Sequence, residues 1–212
     1  MKKNWKKVRK IIDSEPITLG PFYSGQLKGH WSLLRTMARY KFVANLIGGK
    51  TVLDVGCGEG LGTWMLSKYT RYILGIDTDK KAIKEALKLS KNGLDFFDED
   101  LFKTGGSFDC VTAIDVIEHI PKRNEDKFMK AICKNLNDDG FCVIGTPNKN
   151  MNKYESPEAK AGHINMYDYK RLEKLMKKYF HNVFMFGMND EVMYTGFKPM
   201  CQYIMAMGVN KK

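Results

Sequence analysis

Apolar positions along the chain follow two rhythms. Short runs, TVLDV (51–55), YILGID (72–77), FDCVTAI (108–114) and FCVIGT (141–146), have the length and β-branched content of buried strands, and 94–98 is a weaker fifth. Between them apolar side chains recur at helical spacing: Ala82, Ile83, Ala86 and Leu87, then Met129, Ile132, Cys133 and Leu136, then Leu172, Leu175, Met176 and Tyr179. Strands that alternate with helices predict a parallel sheet covered on both faces. HNVFMFGM (181–188) and QYIMAMG (202–208) have no helix-length segment between them, which predicts an antiparallel closing pair. A helical stretch over 31–47 lies outside this alternation. The chain therefore divides into an N-terminal cap, residues 1–48, and an α/β domain, residues 49–212.

Composition narrows the class. With 212 residues and 43% apolar content, the chain can bury a sizeable core. No apolar run approaches the ~18 residues of a membrane span, and the basic MKKNWKKVRK start leads into no signal-type stretch. A soluble, cytoplasmic protein is expected. The five cysteines show no close pair, so buried thiols are expected rather than a metal or disulfide framework. Net charge is +11, unevenly spread: +9 over residues 1–50, −2 over 51–150 and +4 over 151–212. Basic ends around a slightly acidic centre suit a phosphate-bearing partner, in RNA or in a metabolite, or else form a solvated lysine surface.

The chemistry concentrates in TVLDVGCGEGLG (51–62), where a strand runs into four glycines. Glycine is costly inside regular structure, so the repeat marks a backbone that turns sharply close to a ligand. The dinucleotide fingerprint GxGxxG fails in both registers, because Leu61 or Thr63 stands where its third glycine belongs. What remains is Asp54, the glycines Gly56, Gly58 and Gly60, and two further acids, Asp77 and Asp100, at the next strand ends. A carboxylate at the second strand end can accept both ribose hydroxyls of an adenosine.

VLDVGCGEG, GIDTD, FDCVTAIDVIEH and LNDDGFCVIGTPN resemble the successive motifs of class I S-adenosylmethionine-dependent methyltransferases, over about residues 50–180. The resemblance implies a Rossmann-like, seven-stranded, mostly parallel sheet with a reversed last strand and helices on both faces. It further implies that Gly56, Cys57, Gly58 and Gly60 cradle the methionyl part of the cofactor, with Asp54 orienting the loop or reaching the amine through water. Asp77 would take the ribose, with Thr78 beside it also against the cofactor, Asp100 and Leu101 the adenine, and Ile114 and Asp115 the sulfonium side. MARYKFVANLI (37–47) resembles a segment of sugar-modifying members, which makes Arg39 the candidate grip on the cofactor carboxylate.

The accepting atom is narrower. The (Asp/Asn/Ser)-Pro-Pro-aromatic motif of base amino-group methylation is replaced by Asp115-Val116-Ile117-Glu118, and no Pro-Cys nucleophile for cytosine carbon exists. DVIEHIP (115–121) and TPNKN…GHINMY (146–167) resemble small-molecule O-methyltransferases related to ubiquinone biosynthesis and sugar methylation. Such a transfer needs a base for the hydroxyl proton, and histidine suits the task. His163, in a Gly-flanked loop, is the first candidate, His119 the second and Asp115 the fallback. Tyr23, Lys28 and His30 from the cap, with Asn148, are candidates for holding the acceptor. Asp138-Asp139-Gly140 reads as a tight turn, and no residue cluster predicts a metal. The expected activity is O-methylation of a sugar or nucleotide-linked sugar of surface polysaccharide synthesis. An RNA methyltransferase using the basic N-terminus, or a non-catalytic cofactor-binding module, are the rivals.

Overall fold

The computed structural model describes residues 27–154, 161–196 and 198–212, with side chains for 33–151, 161–196 and 199–212. It begins with α1 (Leu27–Ala44) and continues β1 (Thr51–Val55), α2 (Leu61–Leu66), β2 (Tyr72–Asp77), α3 (Lys80–Ala86), β3 (Leu94–Asp98) and β4 (Phe108–Ile114). There follow α4 (Glu125–Lys134), β5 (Leu136–Pro147), α5 (Tyr169–Tyr179), β6 (Phe180–Asn189), β7 (Val192–Tyr194) and β8 (Tyr203–Lys211). All the strands form one sheet in the order β3-β2-β1-β4-β5-β8-β6-β7. β1 through β5 pair in parallel, whereas β8 runs antiparallel between β5 and β6.

The parallel half with its reversed closing strand matches expectation. The strand count does not: β7 adds an eighth, a three-residue edge paired to β6 at Gly187–Asn189. Its VMY segment is too short to show a period of two. Asp138-Asp139-Gly140 falls within the bounds of β5 but outside its ladders: the β4 pairing passes from Phe108↔Leu136 to Cys110↔Phe141, so residues 137–140 loop out of register.

Strands buried on both faces serve two cores. One joins Leu53, Val55 and Val111 to Phe128, Met129 and Ile132 of α4 and Leu172, Leu175 and Met176 of α5. The other joins Val52, Ile73 and Cys110 to Tyr40, Val43 and Ala44 of α1, Leu66 of α2 and Ile83 of α3. α1 thus packs into the second core. It also reaches β6, where the Phe42 and Phe186 rings lie 4.8 Å apart, and the β6–β7 turn, where Arg35 bonds Asp190 at 3.0 Å. Among the described residues, no helix is long and apolar enough to cross a membrane.

Candidate active site

Strand order reverses between β1 and β4, so the carboxyl ends of these strands open a crevice where the fold binds ligands. The glycine loop leaves β1 there. Gly56, Gly58 and Gly60 all have positive φ (70°, 54° and 83°), a backbone that residues with a Cβ rarely adopt. Gly56 has a second constraint, since a Cβ on it would meet Val116 Cγ2 at 2.4 Å. The peptide N–H groups of Gly56 and Cys57 both donate to the Ile76 carbonyl, tying the loop to β2.

A cavity of about 350 Å³ lies beside the loop, walled by Gly56, Asp77, Thr78, Asp100, Asp115 and His119 among others. Asp77 accepts from the Gly58 N–H at 2.9 Å and the Asp79 N–H at 2.8 Å, so its carboxylate is held at the cavity edge. Asp100 accepts from the Phe102 N–H at 3.0 Å, and Leu101 lies beside it on the same wall. These are the acids that the sequence places at or just beyond the ends of β2 and β3.

Asp54 lies elsewhere. It is wholly buried and accepts from the hydroxyls of Thr63 at 2.6 Å and Thr112 at 2.7 Å. Burial pushes its carboxyl up to about 6, against the pull of those hydroxyls. It therefore ties β1 to α2 and β4 from within, and the loop is shaped around it. Cys57 is also buried, and burial pushes its thiol up. Ile114 is buried at the end of β4.

Asp115 follows with φ 59°, an uncommon conformation for a residue with a Cβ, while its N–H donates to the Gly145 carbonyl at 3.0 Å. Its carboxylate pairs with Arg39 of α1, whose guanidinium lies 3.8 Å over the Tyr203 ring. Burial is the largest influence and works against the Arg39 charge, but Asp115, Tyr203 and Glu118 together outweigh it and raise the guanidinium pKa. Arg39 is thus already engaged by an acid of this chain. Arg39 Nε and the Tyr203 hydroxyl are buried without a hydrogen-bond partner, so this corner has polar capacity to spare.

One group of side chains that the sequence does not bring together meets beside the crevice. Glu118, His119 and His163 offer ligand atoms all within 4.8 Å of one another, although 44 positions separate the two histidines along the chain. Their rings meet edge to face at 5.1 Å. His119 Nδ1 lies 2.9 Å from the Gly162 carbonyl, which can only accept, so Nδ1 donates and Nε2 is the nitrogen left to face the site. Glu118 is wholly buried, accepts from Thr146 at 2.9 Å through Oε2, and leaves Oε1 buried and unpartnered. Burial, with Asp115 nearby, pushes its carboxyl up to about 8. Glu118 therefore holds its proton at neutral pH, and a divalent cation taken up by its unpartnered Oε1 and the two imidazoles would have to displace that proton.

Other expected residues fall differently. Asn148 is 1% exposed, and its amide donates to the Cys201 carbonyl at 2.8 Å and accepts from the Asn150 N–H at 3.1 Å. Tyr23 lies outside the described residues, and the side chains of Lys28 and His30 lie outside the described side chains. Sequence reasoning missed Tyr40, Thr63 and Thr112, whose hydroxyls reach Asp54, and Tyr203, whose ring backs Arg39, because nothing in a side chain's local context marks its distant partner.

Fold and crevice together define a cofactor-binding α/β domain of the methyltransferase type. A family model described as "Methyltransferase domain" matches residues 30–180, and the chain belongs to that family, whose methyl donor is S-adenosylmethionine. Curated relatives include the ubiquinone biosynthesis O-methyltransferase of Chromobacterium violaceum, 33% identical over 115 residues, covering 51% of this chain and 49% of that protein. The Nitrosomonas europaea protein of the same name is 27% identical over 162 residues, covering 68% and 67%. The chain thus spans from about half to two thirds of the length of these relatives. Solved structures show the same fold. The methyltransferase domain of bacterial CtHen1-C superposes with a TM-score of 0.68 at 20% identity, covering 84% of this chain and 98% of that one. A possible histamine N-methyltransferase from Thermotoga maritima gives 0.69 at 16%, covering 86% and 93%.

Proposed function

We propose that the protein moves the sulfonium methyl of S-adenosylmethionine to the hydroxyl of a small acceptor bound against His119 and His163. The observation that carries this reading is the meeting of both imidazoles and the buried Glu118 carboxyl beside the cofactor cavity. The relatives' names support oxygen as the accepting atom. They lend no support to the nucleotide-linked sugar expected from the sequence, and that acceptor is not carried forward.

A phenolic hydroxyl is the acceptor class the site suits best. Its proton leaves near pH 10, within reach of a neutral imidazole, whereas bulk water holds its proton to about 15.7. The cavity wall near His119 includes Val116, Ile120 and Phe128, apolar surface that suits a ring. In this reading Asp77 and Asp100 hold the adenosine, and the glycine loop with the Arg39–Asp115 pair receives the methionyl end. Gripping the cofactor carboxylate would require Arg39 to share its guanidinium between that group and Asp115. His119 Nε2 or His163 takes the hydroxyl proton as the new C–O bond forms. A divalent cation held by Glu118, His119 and His163 would occupy those imidazole lone pairs and would act in place of the histidine base, by lowering the hydroxyl pKa.

The test is methyl transfer from labelled cofactor into a panel of phenols, nucleotide sugars and RNA. Label is expected in the phenols, and His163→Ala should cut transfer about 10²–10⁴-fold with cofactor affinity retained. Label in RNA alone would overturn the reading and favour recognition by the basic N-terminal segment. Transfer that survives His119→Ala and His163→Ala together would remove the histidines from the mechanism.

A further inference from the structure

Arg171 stands on the first turn of α5, away from the cofactor cavity, yet it ends on the segment that carries His163. Its Nη1 donates to the Met166 carbonyl at 2.6 Å. Its Nη2 donates to Glu125 Oε2 and to Asn165 Oδ1, both at 2.6 Å. The guanidinium plane also lies 4.0 Å over the Tyr167 ring. Tyr167 is wholly buried, donates its hydroxyl to the same Glu125 oxygen at 2.9 Å and accepts from Asn165 Nδ2 at 2.9 Å. These side-chain bonds and the stack converge on residues 165–167.

This hub connects directly to the site. The Asn165 N–H donates to the Glu118 carbonyl at 2.9 Å, and the Gly162 carbonyl accepts from His119 Nδ1 at the same distance. Between these two anchors sits His163. Behind it, the Lys149 N–H donates to the Tyr167 carbonyl at 2.8 Å, joining the segment to the end of β5.

We propose that Arg171 is a positioning residue for the acceptor side of the site: with Glu125, Asn165 and Tyr167 it clamps residues 162–167 against α4 so that His163 faces His119 and Glu118. The proposal rests on the reading that these histidines serve the acceptor. Arginine is needed because one planar fork reaches three oxygens in two directions while stacking on a ring. Lysine could hold the Glu125 charge but not the fork.

The experiment uses the full chain with S-adenosylhomocysteine bound, and reads the nuclear Overhauser cross-peak between the ring protons of His119 and His163, assigned with His119→Gln and His163→Gln. In the wild type the cross-peak is expected. In Arg171→Met it should vanish while S-adenosylhomocysteine affinity is retained, because the cofactor wall contains none of the clamp. Arg171→Lys should restore it only in part. Methyl transfer should fall about 10²-fold in Arg171→Met, the scale of a 1 Å misplacement at a reacting centre. Should Arg171→Met fail to fold, Tyr167→Phe decides, since it removes one hydroxyl and keeps the stacked ring. A folded Arg171→Met, or Tyr167→Phe, with the cross-peak at wild-type strength would overturn the proposal. The clamp and the acceptor-side reading fail separately. A cross-peak that vanishes in Arg171→Met while His163→Ala stays active would sink the acceptor-side reading and leave the clamp standing. A cross-peak that persists in Arg171→Met while His163→Ala is dead would do the reverse.

Discussion

Asp54 and Asp115 show what a single acid does at this crevice. Folded Asp54 keeps its proton up to about pH 6, whereas an ordinary aspartate loses it near 3.8. The folded state therefore binds the extra proton between those values, and stability is full below them and falls as the pH rises through 6. That interval corresponds to about 3 kcal/mol. Asp54→Asn should abolish this part of the pH dependence, so melting curves at pH 4 and pH 8 should differ less in the variant than in the wild type. Asp115 poses a backbone problem instead. Asn tolerates its φ of 59° and Ala does not, so Asp115→Ala should cost about 1–2 kcal/mol beyond Asp115→Asn, read from thermal melts of both. Both acids stand out in the sequence because they end apolar runs. The sequence hides their partners: Thr63 and Thr112 lie 9 and 58 positions from Asp54, and ordinary threonines in a helix and a strand carry no mark of it.

At the scale of elements, α1 matters more than the word cap suggests. Tyr40 packs so closely on α2 that a Cβ on Gly62 would meet its ring at 2.1 Å. Gly62→Ala should therefore lift α1, destabilise the fold by about 1–3 kcal/mol and weaken cofactor binding by withdrawing Arg39, as denaturant melts and calorimetric titration would show. The helix itself is legible from its apolar spacing, but its seat in the second core is not, because periodicity gives a face and no address. The same limit explains β7, where three residues are too few to display a strand's alternation.

The whole molecule is a sheet whose most buried strands, β1 and β4, also carry the crevice. Amide hydrogen exchange should be slowest there and fastest along the edges β3 and β7, a gradient measurable residue by residue. The cofactor side of the crevice is readable in order along the chain because strand ends line up in a parallel sheet. The acceptor side is not, since it forms only when a loop 43 residues downstream folds back on His119. The placement of β8 has a last consequence, in the order of synthesis. Glycine loop, acids, His119 and His163 all emerge from the ribosome before residue 203, yet β5 and β6 are joined only through β8, which pairs with both. A nascent or truncated chain halted short of Tyr203 holds nearly every chemical group of the site with β5's outer edge open and Arg39 without its supporting ring. Such a chain offers an unpaired strand to its neighbours, so premature termination should yield aggregate rather than a slow enzyme.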